Sequence, residues 1–219
     1  LRAFVRNLGG IDELLHIEEG DVLRPDLGLG GASDSEVGDV YHLAARFDFG
    51  LTVEEARAAN VDGTLNVLEW ARKQRRLRRF VYLGGYRMTK PPAALKGLRF
   101  PLTPAARSKL YRDHGAYEAS KYESYAAFRS FMEQHKLPWT VVHPSGVIGD
   151  SRSGRTTQVV GLGETVERLW QGRLPALVGS TKTFVPVVTV DHLAAVLASV
   201  PVRKETLGTE LTVLDQTTP

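Results

Sequence analysis

Residues 39–85 read "DVYHLAARFDFGLTVEEARAANVDGTLNVLEWARKQRRLRRFVYLGG", and the pattern in this stretch decides the fold. The segments "DVYHLAA" and "RFVYLGG" are apolar nearly throughout, as strands buried on both faces must be. Between them runs a long helical pattern. Thr52 can cap this helix with Glu55 three residues on, a capping box. Val61, Leu65, Leu68 and Ala71 fall at helical spacing and form its apolar face. A buried strand, a helix and a second buried strand make a parallel unit, so the chain is expected to be α/β with a mostly parallel sheet.

The same rhythm extends in both directions. Upstream, "LRAFVR" (1–6) reads as a strand because Leu1, Ala3 and Val5 alternate. "IDELLHI" suits a short helix, and "RPDLGLGGASDSEVG" is loop-like, dense in Gly, Asp and Ser. Downstream, residues 87–115 form a long, Pro-rich excursion of the kind that is usually functional or mobile. "AYEASKYESYAAFRSFMEQHK" is a helix ending near Lys136, before Pro138, and "PWTVVHPSGVIG" is the next strand. After Asp150 the rhythm loosens. "TQVVGLGETVERLWQG" reads as a helix, and its Gly161 and Gly163 are only half of a dinucleotide fingerprint. "FVPVVTVDHLAAVLASVP" reads as a short strand followed by a helix that Asp191 can cap. The chain opens directly on a strand-like segment, so an earlier strand and a glycine-rich turn are expected upstream of Leu1.

Composition narrows the function classes. The 219 residues are 42% hydrophobic and 24% charged, ordinary for a globular domain. The longest apolar runs, such as "FVPVVTV", fall far short of the ~20 residues that span a bilayer, so no membrane span is expected. The absence of cysteine excludes disulfides, thiolate-bound zinc and a cysteine nucleophile. It also fits a reducing cytoplasmic setting. Net charge is +3, with one basic cluster in "ARKQRRLRRF" (71–80). No aromatic residues interleave there for base stacking. The cluster suits the C-terminal end of a helix, and no nucleic-acid partner is expected. His16, His114, His135 and His192 show no metal-ligand spacing, and His42 reads as a packed strand residue, so no metal site is expected.

"GAYEASKYE" (115–123) holds the most suggestive pair. Tyr117 and Lys121 lie one helical turn apart on one face. With seven tyrosines in the chain the spacing alone decides little. It equally suits a core-edge tyrosine beside a solvated lysine. A free phenol has a pKa of about 10, and a nearby ammonium would favour its phenolate form.

The ordered set of motifs carries more than any one of them. "GDV" (20–22), "VYHLAA" (40–45), "ANVDGT" (59–64), "RFVYLGG" (79–85), "YEASK" (117–121), "HPSGVIGD" (143–150) and "VPVVTVDHLA" (185–194) together resemble the extended short-chain dehydrogenase/reductase superfamily, over nearly the whole chain. "GDVLRPDLGL" (20–29) and "VIGDSRSG" (147–154) resemble its thioester reductase and fatty acyl-CoA reductase branch. Nucleotide-sugar epimerases and dehydratases are the neighbouring branch.

The resemblance implies a Rossmann-type doubly wound parallel sheet. Residues 1–149 would form a dinucleotide-binding domain lacking its first strand, helix and glycine-rich turn. Residues 150–219 would be mainly a small substrate-side subdomain. It also implies an NAD(P)-dependent oxidoreductase reducing a carbonyl or acyl thioester of a small-molecule substrate. Tyr117 would be the proton donor, and Lys121 would tune it and hold the cofactor ribose. The family's third member, a serine or threonine that polarises the carbonyl, aligns with Gly85, preceded by Gly84. Thr89, Ser120 or Tyr86 are the nearby hydroxyls. Loss of such a donor costs about 10²–10³ in rate. Two alternatives therefore stay open: a nucleotide-sugar epimerase or dehydratase, and a non-catalytic NADP-binding sensor or scaffold.

For the cofactor, the resemblance assigns Asp21 and Val22 to adenine contacts and Ala44 and Ala45 to a close chain passage. It assigns His143, Pro144 and Ser145 to the segment along the nicotinamide. Arg6, at the end of the first strand-like segment, suits a 2′-phosphate, favouring NADP with NAD left open. Asn60 is expected as structural support or a proton relay. Family members often dimerise through the helix carrying "YEASK" and the one before it, so a homodimer is the assembly this likeness allows.

Overall fold

Apolar segments that lie side by side build the sheet that positions everything else. The computed structural model describes residues 2–7, 9–29, 37–48, 50–90, 97–157, 159, 161–176, 179–180 and 183–215. Its strands are β1 (Asp39–His42), β2 (Arg79–Leu83), β3 (Trp139–Pro144), β4 (Gly146–Ile148), β5 (Val187–Thr189) and β6 (Thr209–Val213). A four-stranded, wholly parallel sheet has the order β1-β2-β3-β6, and β4 and β5 form a separate parallel pair.

Successive residues of β2 face opposite ways. Phe80 and Tyr82 pack with Val141 against Val67, Leu68 and Ala71 of α3 (Gly63–Arg72) and Phe128 and Met132 of α5 (Ala116–His135). Val81 packs on the other face with Val142, Val213 and Leu193, the last from α7 (Val190–Ser199). Helices cover both faces, so the sheet is doubly wound, as expected.

The capping box at Thr52 is present. Its Oγ1 accepts from the Glu55 amide at 3.2 Å, and its own amide donates to Glu55 Oε2 at 3.0 Å. α2 (Val53–Arg57) then runs through a π-turn at Ala58–Asp62 into α3. Such one-turn bulges concentrate at functional sites. Gly63 follows the bulge because Val22 presses on it. A Cβ there would lie 3.1 Å from Val22 Cγ2. The "GDV" and "ANVDGT" motifs thus meet in space.

Four segments depart from the sequence reading. Of the strand expected at 1–6, Leu1 lies outside the described residues and the rest instead belongs to helix α1 (Arg2–Asn7). Six alternating residues are too few to separate a strand from a helix. Leu, Arg and Ala favour the helix, and the Gly-Gly that follows stops it. Gly9 adopts φ 78° and donates to the Arg6 carbonyl, while Gly10 donates to that of Val5, a Schellman cap. "IDELLHI" is only a 3-10 turn at Asp12–Leu14. The Pro-rich excursion contains α4 (Pro104–His114), capped by Thr103. "PWTVVHPSGVIG" is two strands rather than one. Pro144 has no N–H to extend the ladder, and the chain crosses there from the β6 side, through the Ser145 amide to Val213, to the β5 side, through the Gly146 amide to Pro186.

The segment after Asp150 holds α6 (Leu162–Trp170), as expected in outline. β6 returns to the main sheet beside β3, so this segment is interwoven with the first 149 residues. Thr189 takes the N-cap position of α7 without a side-chain capping bond, and Asp191 accepts from the Ser151 amide and hydroxyl at 2.9 and 2.6 Å. That contact joins two of the sequence motifs, "VIGDSRSG" and "VPVVTVDHLA". The basic cluster is largely spent on partners. Lys73 pairs with Asp26 and Arg78 with Asp39, and Arg79 is buried on the hydroxyls of Thr140 and Thr206. No helix among the described residues is long and apolar enough to cross a membrane.

Candidate active site

Parallel strands end on the same edge, and in open α/β sheets ligands bind beyond that carboxyl edge. Ala44 and Ala45 follow β1, Gly84 and Gly85 follow β2, and Pro144 and Ser145 close β3. The first two turns of α5 bring Tyr117 and Lys121 over this edge. A cavity of about 330 Å³ results, lined by Gly84, Gly85, Tyr117, Lys121, Pro144 and Ser145 among others. Thus the pair singled out in the sequence and the two glycines do come together.

The electrostatics differ from the expectation. Burial, and then the Glu118 carboxylate, push the Tyr117 phenol above its ordinary pKa. Burial also lowers Lys121 to about 8, against the opposing pull of Glu118. The ammonium donates to the Leu83 carbonyl at 3.4 Å and lies 5.6 Å from the Tyr82 ring centre. Desolvation outweighs any help from the lysine, so Tyr117 remains a protonated phenol at neutral pH. A protonated phenol is a poor base. The Phe47 ring meets the phenol edge-on at 4.7 Å.

The π-turn fixes Tyr117 from below. Asn60 Oδ1 accepts from the Arg46 amide at 2.7 Å, and its Nδ2 donates to the Arg46 carbonyl at 3.2 Å and to Ser120 Oγ at 2.9 Å. Ser120 in turn donates to the Tyr117 carbonyl at 2.7 Å. The loop carrying Ala44 and Ala45 is thereby tied to the turn carrying Tyr117, the supporting role expected of Asn60.

A second buried chain lies deeper. The Thr64 hydroxyl donates to the Asn60 carbonyl, so it must accept from both His42 Nε2 at 2.9 Å and Ser124 at 3.0 Å. The single Ser124 proton is then used, and Tyr82 donates to Ser124 at 2.8 Å. Burial, helped by the Lys121 charge, lowers His42 to about 4 and keeps it neutral. Beside this chain, the fully buried Glu123 receives Arg57, Arg107 and the Tyr111 hydroxyl, joining α2, α4 and α5.

His143 was expected along the nicotinamide. It is 1% exposed, and its ring occupies the space where a side chain at position 84 would go. A Cβ on Gly84 would lie 2.3 Å from His143 Nδ1. Nδ1 accepts from the Gly85 amide at 3.3 Å, so the proton is on Nε2, which donates to Glu210 at 2.9 Å. Glu210 also accepts from Tyr125 and Arg129 at 2.5 and 2.7 Å. His143 therefore braces the glycine pair from behind. Sequence reasoning missed Glu210 because it missed β6, although "TELTV" after Gly208 carries the period of two that marks a strand.

The remaining assigned residues lie elsewhere. Asp21 accepts from the Leu23 amide at 2.9 Å and sits 3.6 Å from Arg24, on the surface, while Val22 is half-buried against Gly63. Ala44 and Ala45 are exposed on the loop after β1. Arg6 is on α1, and its guanidinium binds both oxygens of Asp12 at 3.1 and 2.5 Å. The strand end that made it a 2′-phosphate ligand does not exist. The sequence argument for NADP over NAD falls with it.

Comparison with known proteins agrees with this fold. A family model described as male sterility protein, an NAD-binding family, matches residues 4–197. The chain belongs to this family. Male sterility family membership accords with the resemblance to the reductase branch of the extended short-chain dehydrogenases. No curated protein matches the chain by sequence. Solved structures match it in fold. The terminal R domain from the myxalamid PKS-NRPS biosynthetic pathway is 24% identical with a TM-score of 0.70, over 90% of this chain and 50% of that one. The PhqB reductase domain from Penicillium fellutanum is 20% identical with a TM-score of 0.65, over 92% and 49%. UDP-glucuronic acid 4-epimerase from Bacillus cereus, in complex with NAD, is 14% identical with a TM-score of 0.57, over 83% and 55%. The chain thus spans about half the length of these relatives.

Proposed function

We propose that this chain carries the catalytic part of an NAD(P)-dependent oxidoreductase that reduces a carbonyl or acyl thioester, with Tyr117 as the proton donor. The observation that carries this reading is a protonated phenol and a buried lysine in one cavity at the carboxyl edge of β2 and β3. The cavity fits the reactive end of a nicotinamide dinucleotide. Nothing lies within 4 Å of where a Gly85 side chain would be, so a flat ring can approach the backbone there. Lys121 and Pro144 would hold that end, and Asp21, Val22, Ala44 and Ala45 the adenine end.

When bound, the dinucleotide supplies hydride. Tyr117 gives its proton to the substrate oxygen as negative charge develops on it. An aldehyde or ketone becomes an alcohol. A thioester becomes a hemithioacetal, which releases thiol and aldehyde. Lys121 lines the same cavity, where its ammonium would stabilise the new phenolate, and solvent restores the phenol.

The test is titration with NADPH and NADH, followed by hydride-transfer assays with aldehydes, acyl-CoA thioesters and UDP-sugars. Tyr117→Phe is expected to lower turnover by about 10²–10⁴-fold, the usual contribution of a positioned acid, with cofactor affinity unchanged. Cofactor binding without turnover on any substrate would instead support the non-catalytic sensor, the reading that Gly84 and Gly85 favour. Turnover confined to UDP-sugars would support the epimerase.

A further inference from the structure

The family's carbonyl-polarising hydroxyl has no counterpart at Gly85, so the site needs another donor or works slowly. The structure removes two of the nearby candidates. Thr89 Oγ1 donates to the Tyr86 carbonyl at 2.7 Å. Ser120 is fully buried, donating to Tyr117 and accepting from Asn60. Both protons are committed to backbone.

Of the other hydroxyls on the cavity wall, that of Ser145 is buried and uncommitted. Ser145 lines the cavity together with Gly85, Tyr117 and Lys121. The residue is only 6% exposed, and its Oγ is buried with no hydrogen-bond partner. A buried hydroxyl without a partner is unfavourable, and native structures retain few of them. Its backbone is also firmly set. The Ser145 amide donates to the Val213 carbonyl at 3.0 Å, and the next amide, Gly146, donates to Pro186 at 3.1 Å. The site is near the gap. Leu83 pairs with Val142, so Gly85 and Ser145 lie two and three residues beyond one ladder rung, on neighbouring chains about 4.8 Å apart.

We infer that Ser145 replaces the absent serine or threonine, its hydroxyl donating a hydrogen bond to the substrate carbonyl oxygen opposite the Tyr117 phenol. This deepens the oxidoreductase reading and rests on it. Rotation about a single χ1 bond between staggered positions moves the oxygen without moving the backbone. The hydroxyl proton stays on Ser145 throughout. The transferred proton comes from Tyr117 and the hydride from the reduced nicotinamide. Open space at Gly85 remains because the donor approaches from β3 rather than from β2.

The test measures reduction of octanal and octanoyl-CoA with NADPH and NADH. Ser145→Ala is expected to lower kcat by about 10²–10³-fold, as loss of an oxyanion donor does, with cofactor Kd within twofold of wild type. Ser145→Thr should keep most of the activity. Gly85→Ser should restore activity to Ser145→Ala by putting a hydroxyl at the family's own position. The assignment is overturned if Ser145→Ala turns over like wild type while Tyr117→Phe does not, the oxidoreductase reading then surviving. Loss of cofactor binding in Ser145→Ala also overturns it, by making the residue a cofactor ligand. Loss of activity in Tyr86→Phe but not in Ser145→Ala would assign the donor to Tyr86. Wild type that binds cofactor and reduces neither probe removes both readings.

Discussion

Gly84 and Gly85 are adjacent, yet a methyl group added to each should have opposite effects. At Gly84 the new Cβ would sit 2.3 Å from His143 Nδ1 and 2.7 Å from Cε1. A comfortable contact needs about 3.5 Å, so the imidazole must withdraw by about 1 Å. It has little room to do so. It is 1% exposed and held at both nitrogens, by the Gly85 amide and by Glu210. Overpacking of this kind costs about 1–3 kcal/mol, and losing a hydrogen bond to a carboxylate adds about 1.5–3 kcal/mol. Gly84→Ala should therefore destabilise by about 2–5 kcal/mol, after the small gain from a less flexible unfolded chain. At Gly85 no atom lies within 4 Å of the new Cβ, and the backbone is extended at φ −165°. Gly85→Ala should stabilise by about 0.4–1 kcal/mol through the unfolded state alone. Urea unfolding measures both, as shifts in midpoint at constant slope. The cause is tested by a double-mutant cycle. On a His143→Ala background, Gly84→Ala should cost almost nothing. Equal stabilities for the two alanine variants, or additive effects with His143→Ala, would refute the steric argument.

Two further outcomes follow from the buried polar groups. His42 titrates at about 4 in the folded chain and at about 6.5 unfolded, so between these values the unfolded state binds more protons. Stability contributed by neutral His42 is full above pH 6.5 and is lost as pH falls towards 4, about 3 kcal/mol in all. His42→Gln should flatten this limb of a stability–pH profile followed by urea unfolding, and an unchanged slope would count against it. Glu123→Ala leaves Arg57, Arg107 and Tyr111 facing an empty pocket and should cost about 3–5 kcal/mol. That corresponds to a fall in Tm of about 6 °C or more by calorimetry at this chain length. A change under 1 °C would mean the cluster is dispensable.

What the sequence determined by itself rests on interactions between near neighbours. The Thr52–Glu55 capping box, the apolar runs of β1 and β2, and the shared face of Tyr117 and Lys121 were all legible because each depends on spacings of four residues or fewer. The order of the motifs was legible too, and it led to the family. Tertiary structure decided whatever depended on distant contacts or on removal from water. Residues 2–7 pair with no strand among the described residues and follow their helical preference. Pro144 splits one apolar run between two sheets because β5 and β6 lie on either side. Gly84 is a glycine because of His143, 59 positions away by number. The charge at the site followed the same rule. Spacing put an ammonium one turn from a phenol, but burial of the phenol, a property of the folded chain alone, raised its pKa instead of lowering it.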